Sequence, residues 1–557
     1  MSTQSLPPRP EEAAKDHYAY LWLLLASGSH LLYTGRWKVS IATWLGVVFM
    51  LRFVEKQPLL KGWLLLSTGL FFPALLANQG MFLQPAGQFI ITLFIGTFLG
   101  TLPFLLYRWQ LTYHQDRSFL STLFFPCTIV AFDYINVHTN PFGSWGSLVY
   151  TQMDFPILLQ WTSVLGIWGI SFLIAWFGSV VCWAWHHHFR WPHIRKGLVL
   201  FGVSTAIILL YGSLRLEFSV PRGKYIRVAG IVSPLGQNAW DLFKDNLFKR
   251  QQLTKAEEKL IFAKISAIHQ TAFDRSRQAA KGGAKIILWS EAMGVTDKGS
   301  ESTFLQQAKA LAKRYKVYLA VSYWLLLHKN WKQMSTRKLI ENKLVLLTPQ
   351  GIVGWSYSKW KPLPGIEQAI TKPGEQQIPA LLTPYGRLGG AICFDLDFPQ
   401  HIKRAGKKEI DIFLAPAGDW PAVAKQHAQM SSLRALENGF SLLRVTNNGH
   451  SVAFDGQGRL LAKMNHLRTR HPIFYADVPS KRMFTFYGYV GDVFAWCCIV
   501  VFLFTILYKL FGYFLTTRSV KPIQQLSMWF ALLLVVDFCW MDHWLFYSLY
   551  LVPEWWM

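Results

Sequence analysis

The stretch Gly389-Gly390-Ala391-Ile392-Cys393-Phe394-Asp395 is an apolar run that ends abruptly in an acidic residue. It contains the only cysteine of the polar segment that runs from about Arg215 to Asp492. A single cysteine cannot form a disulfide within that segment, so Cys393 serves either packing or chemistry. Free cysteine is often a small buried hydrophobe, and composition alone favours that explanation.

The regions on both sides of this polar segment are strongly apolar. The chain of 557 residues is 52% hydrophobic and 16% charged, whereas a soluble protein carries roughly 25% charged residues. The polar segment is large enough to form a globular core of its own. Apolar runs that could cross a bilayer core of roughly 30 Å lie near residues 17–35, 39–55, 62–78, 88–107, 118–136, 157–185, 197–213, 493–515 and 526–551.

These runs set the predicted domain boundaries. We predict a cytoplasmic tail over residues 1–16 and a membrane domain over residues 17–214 with about seven transmembrane helices. One extramembrane domain follows over residues 215–492, and residues 493–557 hold a C-terminal transmembrane helix and one additional helix. The first run has a mixed-charge flank and no small-residue cleavage site, so a retained helix is predicted rather than a signal peptide.

The charge of the short loops predicts the orientation. With a cytoplasmic N-terminus, the outside loops near residues 78–88 and 136–156 contain neither lysine nor arginine, although Arg36 and Lys38 depart from the pattern. The positive-inside rule therefore places residues 215–492 on the outer side of the membrane. The net charge is +25, but no dense basic run with interleaved aromatic residues occurs. Anionic lipid headgroups are thus the predicted counterpart, and no nucleic acid is expected as a partner.

The polar segment alternates strand and helix patterns, which indicates an α/β sandwich. Gly282-Gly283 ends the first helix, and Asp455-Gly456-Gln457-Gly458 is typical of a hairpin turn. Strands are predicted over residues 225–232, 285–289, 316–323, 388–393, 410–415 and 440–446, and helices over residues 256–280, 301–315 and 424–438.

Three residues at predicted strand ends have the chemistry for acyl transfer. Cys393 supplies a thiol, Glu291 a carboxylate that can accept its proton, and Lys359 a cation for the developing oxyanion. Each has an ordinary explanation when taken alone, since Glu291 could cap the next segment and Lys359 could be a surface lysine. Spacing by itself does not decide between these explanations.

The short sequence motifs around these residues resemble those of the nitrilase (carbon–nitrogen hydrolase) superfamily. That resemblance implies an αββα sandwich with a Glu–Lys–Cys triad formed by Glu291, Lys359 and Cys393. It also implies a supporting glutamate at Glu367. The matching stretches are Trp289-Ser290-Glu291, Tyr357-Ser358-Lys359, Ile392-Cys393-Phe394-Asp395-Leu396-Asp397-Phe398-Pro399, Arg434-Ala435-Leu436-Glu437-Asn438 and Thr446-Asn447-Asn448-Gly449.

The membrane part is similar to the bacterial apolipoprotein N-acyltransferase family, and the likeness covers roughly residues 20 to 515. Departures occur after Lys359, at Phe394-Asp395 and in the extra run at 526–551. The stretches that carry the likeness are Pro141-Phe142-Gly143-Ser144-Trp145-Gly146, Tyr150-Thr151-Gln152, Leu165-Gly166-Ile167-Trp168-Gly169-Ile170-Ser171-Phe172 and Tyr487-Gly488-Tyr489-Val490-Gly491-Asp492.

This second resemblance implies transfer of a fatty acyl chain from a membrane phospholipid to the α-amine of a diacylglyceryl-cysteine at a lipoprotein N-terminus. The transferred acyl group would form a thioester on Cys393. Lys359 and the backbone N–H of Phe394 would stabilise the oxyanion, and Glu367 would orient Lys359 or Glu291. It implies a monomeric, multi-pass protein of the bacterial cytoplasmic (inner) membrane with an extracytoplasmic, periplasmic catalytic domain. No cofactor or metal ion is expected.

Two other functions remain open from the sequence. A membrane-tethered amidase would use the same triad with water as the acceptor. The second alternative function is that of an inactive scaffold or lipid-binding protein, although the intact Glu291, Lys359 and Cys393 argue against it.

Several aromatic residues near the triad are candidates for substrate contacts. Trp289 and Trp360 could line an acyl groove, with core packing as the alternative, and Trp420 matches a family position near the active site, with an interfacial tryptophan as the alternative. The insertion from about Trp324 to Ile340 could form a membrane-dipping lid or an ordinary surface loop.

Overall fold

The computed structural model describes residues 18–82, 85–113, 118–219, 221, 223–232, 254–327, 338–469 and 471–516. The predicted cytoplasmic tail and the predicted additional helix near 526–551 lie outside these residues. Within them, the chain forms a helical N-terminal part, an α/β domain, and a last apolar helix.

The N-terminal part consists of helices that follow the predicted apolar runs. The sixth run, 157–185, departs from the prediction because it breaks at Gly166, whose φ is +66°. A side chain there would lie 2.4 Å from the ring of Tyr487, so glycine allows that ring to pack against the break. The helices are α1 (Ala19–Tyr33), α2 (Ser40–Glu55), α3 (Leu59–Ala77), α4 (Ala86–Gly100), α5 (Leu102–Tyr113), α6 (Phe124–Thr139), α7 (Pro156–Leu159), α8 (Thr162–Leu165), α9 (Ile167–His186) and α10 (Trp191–Phe218).

Five helical segments among the described residues are long and apolar enough to cross a membrane. Helices α1 and α2 are also apolar but contain 15 and 16 residues, slightly fewer than the ~17–25 that usually span a bilayer. The five segments are Leu59–Ala77, Ala86–Leu111, Phe119–Thr139, Ile167–His186 and Trp191–Phe218.

The α/β domain contains two β-sheets that pack face to face. The first sheet has the order β13-β1-β2-β4-β5-β6 with β3 paired to β4, and the second has the order β12-β11-β10-β9-β8-β7. The strands are β1 (Tyr225–Ile231), β2 (Ile286–Trp289), β3 (Gly294–Asp297), β4 (Tyr318–Leu326), β5 (Ile340–Leu347), β6 (Val353–Ser358), β7 (Ala380–Thr383), β8 (Gly386–Gly390), β9 (Ile412–Gly418), β10 (Ser441–Asn447), β11 (His450–Phe454), β12 (Leu460–Asn465) and β13 (Ile473–Pro479).

Helices cover the outer faces of both sheets. Successive side chains of β1 point to opposite faces of its sheet. Val228 lies in the core between the sheets, while Ala229 packs outward with Phe273 and Phe304 of the helical layer. The predicted αββα sandwich is therefore confirmed. Its helices are α11 (Lys255–Lys281), α12 (Glu301–Tyr315), α13 (Ile366–Ile370), α14 (Pro399–Lys407), α15 (Ala424–Asn438) and α16 (Phe486–Val490), and α17 (Val493–Thr516) follows the domain.

Helix α15 joins the sandwich to the membrane helices. Its Ala428 and Ala435 belong to the core of the sandwich, whereas Met430, Leu433 and Leu436 pack with the buried residues of the membrane helices. The helix is thus buried on two opposite sides, and its first turn, with His427, lies at Asp419 just beyond the carboxyl end of β9, which runs parallel to β8 and β10. This edge of the sheet holds the candidate site.

Candidate active site

Cys393 lies at the start of a tight 3₁₀ turn, Cys393–Asp397, that follows β8. Its φ of +50° is in the left-handed region, which a non-glycine residue adopts at a cost of roughly 1–3 kcal/mol. The side chain of Asp395 fixes the turn, since its Oδ2 accepts hydrogen bonds from the Ile392 N–H (3.0 Å) and the Tyr357 hydroxyl (2.7 Å). The thiol is buried, and its Sγ lies 3.6 Å from the carbonyl oxygen of Gly418. The strained conformation therefore belongs to a well-supported turn, which is typical of a functional residue.

Lys359 lies between two carboxylates and is itself almost fully buried. Its Nζ donates to Glu291 Oε1 at 2.8 Å and to Glu367 Oε1 and Oε2 at 2.7 and 2.9 Å. Glu367 also accepts from the backbone N–H of Leu363 at 2.7 Å. The structure thus brings Glu291, Lys359 and Glu367 into one hydrogen-bonded group.

Asparagine side chains hold Glu291 in place. Asn342 Nδ2 donates to Glu291 Oε1 at 2.8 Å, and Asn447 Nδ2 donates to the Glu291 carbonyl oxygen at 2.9 Å. A Cβ on Gly418 would lie 3.4 Å from Glu291 Oε2, and the Gly418 carbonyl contacts the thiol. Glu291 and Cys393 therefore face the same short piece of backbone. Asn342 was not predicted from the sequence, because nothing in the local pattern of β5 distinguishes it.

The charges around the thiol determine its protonation. Burial and the Glu291 carboxylate raise the pKa of Cys393 well above its ordinary value, and Lys359 only partly opposes them. Burial acts to lower the pKa of Lys359, but Glu291 and Glu367 outweigh it and hold that pKa well above its ordinary value. Both shifts favour a protonated thiol and a charged Lys359 at neutral pH. Such a thiol needs an adjacent base when it attacks, and Glu291 is the carboxylate that the sequence predicts for this role.

A second buried ionic group lies behind Cys393. Arg444 donates to both carboxylate oxygens of Asp419 at 2.8 and 2.9 Å, and His427 Nδ1 lies 2.8 Å from Asp419 Oδ1. Ligand-type atoms of Cys393, Asp419 and His427 lie within 4.8 Å of one another. However, Arg444 also contacts His427 Nδ1 at 2.9 Å. A guanidinium already occupies the space against these atoms and would repel a metal cation.

Aromatic residues surround the turn that bears the thiol. Phe394, whose backbone N–H was predicted to contact the oxyanion, packs its ring against Phe142 and Phe398. The partly buried Phe82 and Trp145 of the membrane part pack against the same cluster. Both parts of the chain therefore form the apolar surroundings of Cys393.

The predicted tryptophans take different positions. Trp289 is fully buried in the outer core and donates to Ser276 Oγ at 2.9 Å, so the packing alternative describes it and it does not line a groove. Trp360 stacks on His401 at 4.7 Å and contacts Phe398, within the aromatic surroundings of the site. Trp420 donates to the carbonyl oxygen of Gly80 at 2.8 Å and so contacts the membrane part.

The start of the proposed lid is part of the sheet. Residues Trp324, Leu325 and Leu326 belong to β4 and are buried, so the prediction of a lid beginning at Trp324 is wrong. Apolar residues beside basic ones formed a buried strand here, because Trp324 and Leu326 pack in a cluster with Ile265 and Ile370 while Leu325 packs in the outer core. Residues 328–337 of the insertion lie outside the described residues.

Comparisons with known proteins find similarity in both parts of the chain. A family model for carbon-nitrogen hydrolase matches residues 252–484, and one for the apolipoprotein N-acyltransferase N-terminal domain matches residues 22–180. The apolipoprotein N-acyltransferase of Geobacter metallireducens is 26% identical over 416 residues, which is 69% of this chain and 73% of that protein. Apolipoprotein N-acyltransferase 1 of Treponema denticola is 23% identical over 436 residues, 70% of this chain and 78% of that protein.

The solved structure of an amidase from Nesterenkonia sp. is 18% identical to this chain, with a TM-score of 0.35. The match covers 47% of this chain and 93% of the amidase chain. A carbon–nitrogen hydrolase without a membrane part would match only the first of the two family models. This chain matches both, and its relatives extend across both regions. It therefore belongs to the apolipoprotein N-acyltransferase family, the membrane-embedded acyltransferases among the carbon–nitrogen hydrolases.

Proposed function

We propose that this chain N-acylates lipoproteins by carrying a fatty acyl chain on Cys393 between two lipid-anchored substrates. The acyl donor is a membrane phospholipid, and the acceptor is the α-amine of an N-terminal diacylglyceryl-cysteine. The observation that carries the proposal is the position of Lys359, hydrogen-bonded to Glu291 at 2.8 Å, beside a buried thiol whose surroundings include membrane-part residues. A triad placed at this junction suits an acyl ester that is held in a bilayer.

In the first half-reaction, Glu291 accepts the thiol proton as Cys393 Sγ attacks the ester carbonyl carbon of the phospholipid. The resulting oxyanion is stabilised by the Lys359 ammonium and the backbone N–H of Phe394. Collapse of this intermediate breaks the carbon–oxygen ester bond. Glu291 returns the proton to the departing alkoxide, so lysophospholipid leaves and a thioester remains on Cys393.

In the second half-reaction, the neutral α-amine of the lipoprotein attacks the thioester carbonyl carbon. Glu291 takes a proton from the amine nitrogen while Lys359 again stabilises the oxyanion. The carbon–sulfur bond breaks, and the thiolate recovers a proton from Glu291. The products are an amide and the original thiol, so the enzyme returns to its starting state.

The location follows from the same proposal. The positive-inside pattern of the loops favours an outer-face position for the sandwich. Trp420 and the aromatic cluster at Phe394 contact the membrane part, so the thiol lies at the membrane side of the sandwich. A multi-pass protein of the bacterial inner membrane with a periplasmic catalytic domain would meet both lipid substrates there.

The experiment that tests the proposal follows the acyl chain. The purified protein in lipid nanodiscs is incubated with phospholipid that carries a labelled acyl chain, and the label on the protein is mapped by mass spectrometry. We expect a hydroxylamine-sensitive label on Cys393 that a diacylglyceryl peptide then removes as an amide. Cys393→Ala should abolish the label, whereas Cys497→Ala, at an exposed cysteine of α17, should retain it.

Two results would contradict the proposal. One is an undiminished label in Cys393→Ala, which would place the acyl chain elsewhere. The other is a thioester that releases only free fatty acid in the presence of the diacylglyceryl peptide. The triad would then use water, and the chain would be a membrane-tethered hydrolase.

A further inference from the structure

A turn of the membrane part is bonded directly to the turn that bears the nucleophile. We call residues 140–146 the membrane-domain turn and residues 393–397 the nucleophile turn. The backbone N–H and the Oγ of Ser144 donate to the carbonyl oxygen of Asp397 at 2.9 and 2.7 Å. Trp145 Nε1 donates to Asp397 Oδ2 at 2.8 Å. A Cβ on Gly143 would lie 2.6 Å from the Asp397 carbonyl oxygen, so only glycine permits this close approach.

The nucleophile turn is therefore held at two points that belong to different domains. Asp395, in its middle, is bonded within the sandwich to Tyr357 and to the backbone of Lys361. Asp397, at its end, is bonded to the membrane-domain turn. Because Cys393 at the start has a strained φ of +50°, the turn keeps that conformation only while its surroundings restrain it.

A chain of buried charges extends from Asp397 to the space behind the thiol. Asp397 Oδ1 lies 3.3 Å from His427 Nε2, and His427 Nδ1 lies 2.8 Å from Asp419 Oδ1. Asp419 is paired with Arg444 at 2.8 Å. The two carboxylates lie on either side of His427, Arg444 also contacts His427 Nδ1 at 2.9 Å, and all four side chains are buried. Each charge is compensated by its neighbours, so removing one leaves the others unbalanced in a low-dielectric environment.

We propose that Asp397 and His427 are positioning residues through which the membrane-domain turn fixes the geometry of Cys393. Asp397 accepts a hydrogen bond from Trp145 with Oδ2, and its Oδ1 lies at an ion-pair distance of 3.3 Å from His427 Nε2. His427 in turn keeps Asp419 and Arg444 in place behind the thiol. Neither Asp397 nor His427 is assigned a bond to substrate. The proposal rests on the proposed function only in its activity readout, because the reactivity of the thiol can be measured without any lipid.

The test uses Trp145→Phe, which removes the indole N–H and keeps an aromatic ring, together with Asp397→Asn and His427→Gln. Each full-length protein in nanodiscs is treated with iodoacetamide, and the rate of Cys393 alkylation is measured by mass spectrometry between pH 6 and 10. The rate of thioester formation from labelled phospholipid is measured in parallel. Trp496→Phe and Asp477→Asn, at exposed positions, are the matched controls.

We expect all three variants to change the alkylation rate and its pH profile, and to lower the maximal rate of thioester formation by roughly tenfold or more, as a nucleophile displaced by a fraction of an ångström would. The apparent KM for phospholipid should stay within about twofold, because no substrate contact is removed. The double variant Trp145→Phe/Asp397→Asn should be no worse than the more damaged single variant, since both break the same link.

A purely structural role would give a different result. The variants would then lower the melting temperature while the folded fraction kept the wild-type alkylation profile and maximal rate, which would overturn the proposal. If Asp397→Asn does not fold, the result for Trp145→Phe decides between a positioning and a structural role, because that substitution changes no residue of the sandwich. Failure of the proposed function is recognised separately, since wild-type protein would then form no thioester although its alkylation could still respond to Trp145→Phe.

Discussion

Lys359 has the most constrained position in the site. It is a buried ammonium with carboxylates on two sides, Glu291 at 2.8 Å and Glu367 at 2.7 Å. Two carboxylates around one ammonium leave an excess negative charge, and burial raises the pKa of Glu367 in spite of Lys359. In the proposed mechanism Glu291 exchanges a proton, whereas Glu367 accepts hydrogen bonds from both Lys359 and a backbone N–H. We therefore assign Glu367 to orientation of Lys359.

Glu367→Gln should keep the thiol and the base but loosen Lys359. We expect the maximal rate of thioester formation to fall by about 10- to 100-fold, because the oxyanion donor is no longer held from both sides. Glu291→Gln should abolish measurable turnover. The matched control is Glu301→Gln, which removes a carboxylate 2.6 Å from Lys343, away from the site. Wild-type kinetics in Glu367→Gln would show that Glu291 alone positions the lysine.

His427 should make stability depend on pH. Burial acts to lower its pKa, but Asp397 and Asp419 outweigh burial and Arg444 and raise it to about 9. A pKa raised above the ordinary value near 6.5 means that the charged form stabilises the fold. This contribution is complete below about pH 6.5 and is lost as the pH rises through about 9.

Thermal unfolding of the protein in detergent should therefore shift downward between pH 7 and 10. The groups that face His427 also include Cys393, whose thiol titrates at high pH, and so Cys393→Ala is measured as well. His427→Gln should remove most of the shift and Cys393→Ala should not. An identical pH dependence in wild type and His427→Gln would contradict the assignment.

At the scale of secondary structure, α15 links the site to the rest of the molecule. The helix carries His427 on its first turns, packs Ala435 into the sandwich and packs Leu433 against the membrane helices. It ends at Gly439, which has a φ of +77° and lies where a Cβ would be 1.9 Å from the carbonyl oxygen of Met483. Both the left-handed conformation and the close approach require glycine at this position.

Gly439→Ala should therefore destabilise the protein by at least about 1 kcal/mol and lower its melting temperature. Loss of catalytic rate should accompany it only as far as folded protein is lost. Gly202→Ala is the matched control, because that glycine lies within α10 with open space around its Cβ position. The control should change stability by less than about 1 kcal/mol. Equal melting temperatures for the two variants would show that the end of α15 can rearrange.

The sequence predicted the elements and the triad better than it predicted the surroundings of the triad. Glu291, Lys359 and Cys393 each follow an apolar strand. Their positions at strand ends could therefore be predicted from the strand pattern and from the family motifs around them. For Trp289 the packing alternative describes the structure, because adjacent strand residues face opposite sides and this side chain packs with the outer helices. Asp397 and His427 could not be paired, because they are thirty positions apart and meet only through the packing of α15.

At the scale of the whole molecule, the helical part and the sandwich form a shared buried interface. Arg215, near the end of α10, donates to Gln160 and, at 3.1 Å, to the carbonyl oxygen of Gly456 in the hairpin turn before β12. Gln457 of the same turn donates to the carbonyl oxygens of Arg215 and Ser219. The last helix before the domain is thereby bonded to a turn near the domain's C-terminal strands. This attachment joins the two parts in addition to the nucleophile turn and the contact of Trp420 with Gly80.

Arg215→Ala tests whether this attachment stabilises the molecule or only accompanies the fold. The side chain is buried, so its removal leaves Gln160 and the Gly456 carbonyl without a donor, at a cost of roughly 2–5 kcal/mol. We expect a lower melting temperature in detergent and faster proteolysis near residues 455–458. Arg227→Ala removes an arginine that is half exposed and paired with Asp477 on the surface, and it should change stability little because solvent screens such a pair. If the attachment also holds the sandwich in register with the membrane-domain turn, Arg215→Ala should slow Cys393 alkylation in the folded protein, whereas Arg227→Ala should not. Unchanged alkylation together with faster proteolysis would mean that the Arg215 contacts serve stability only and do not help to position Cys393.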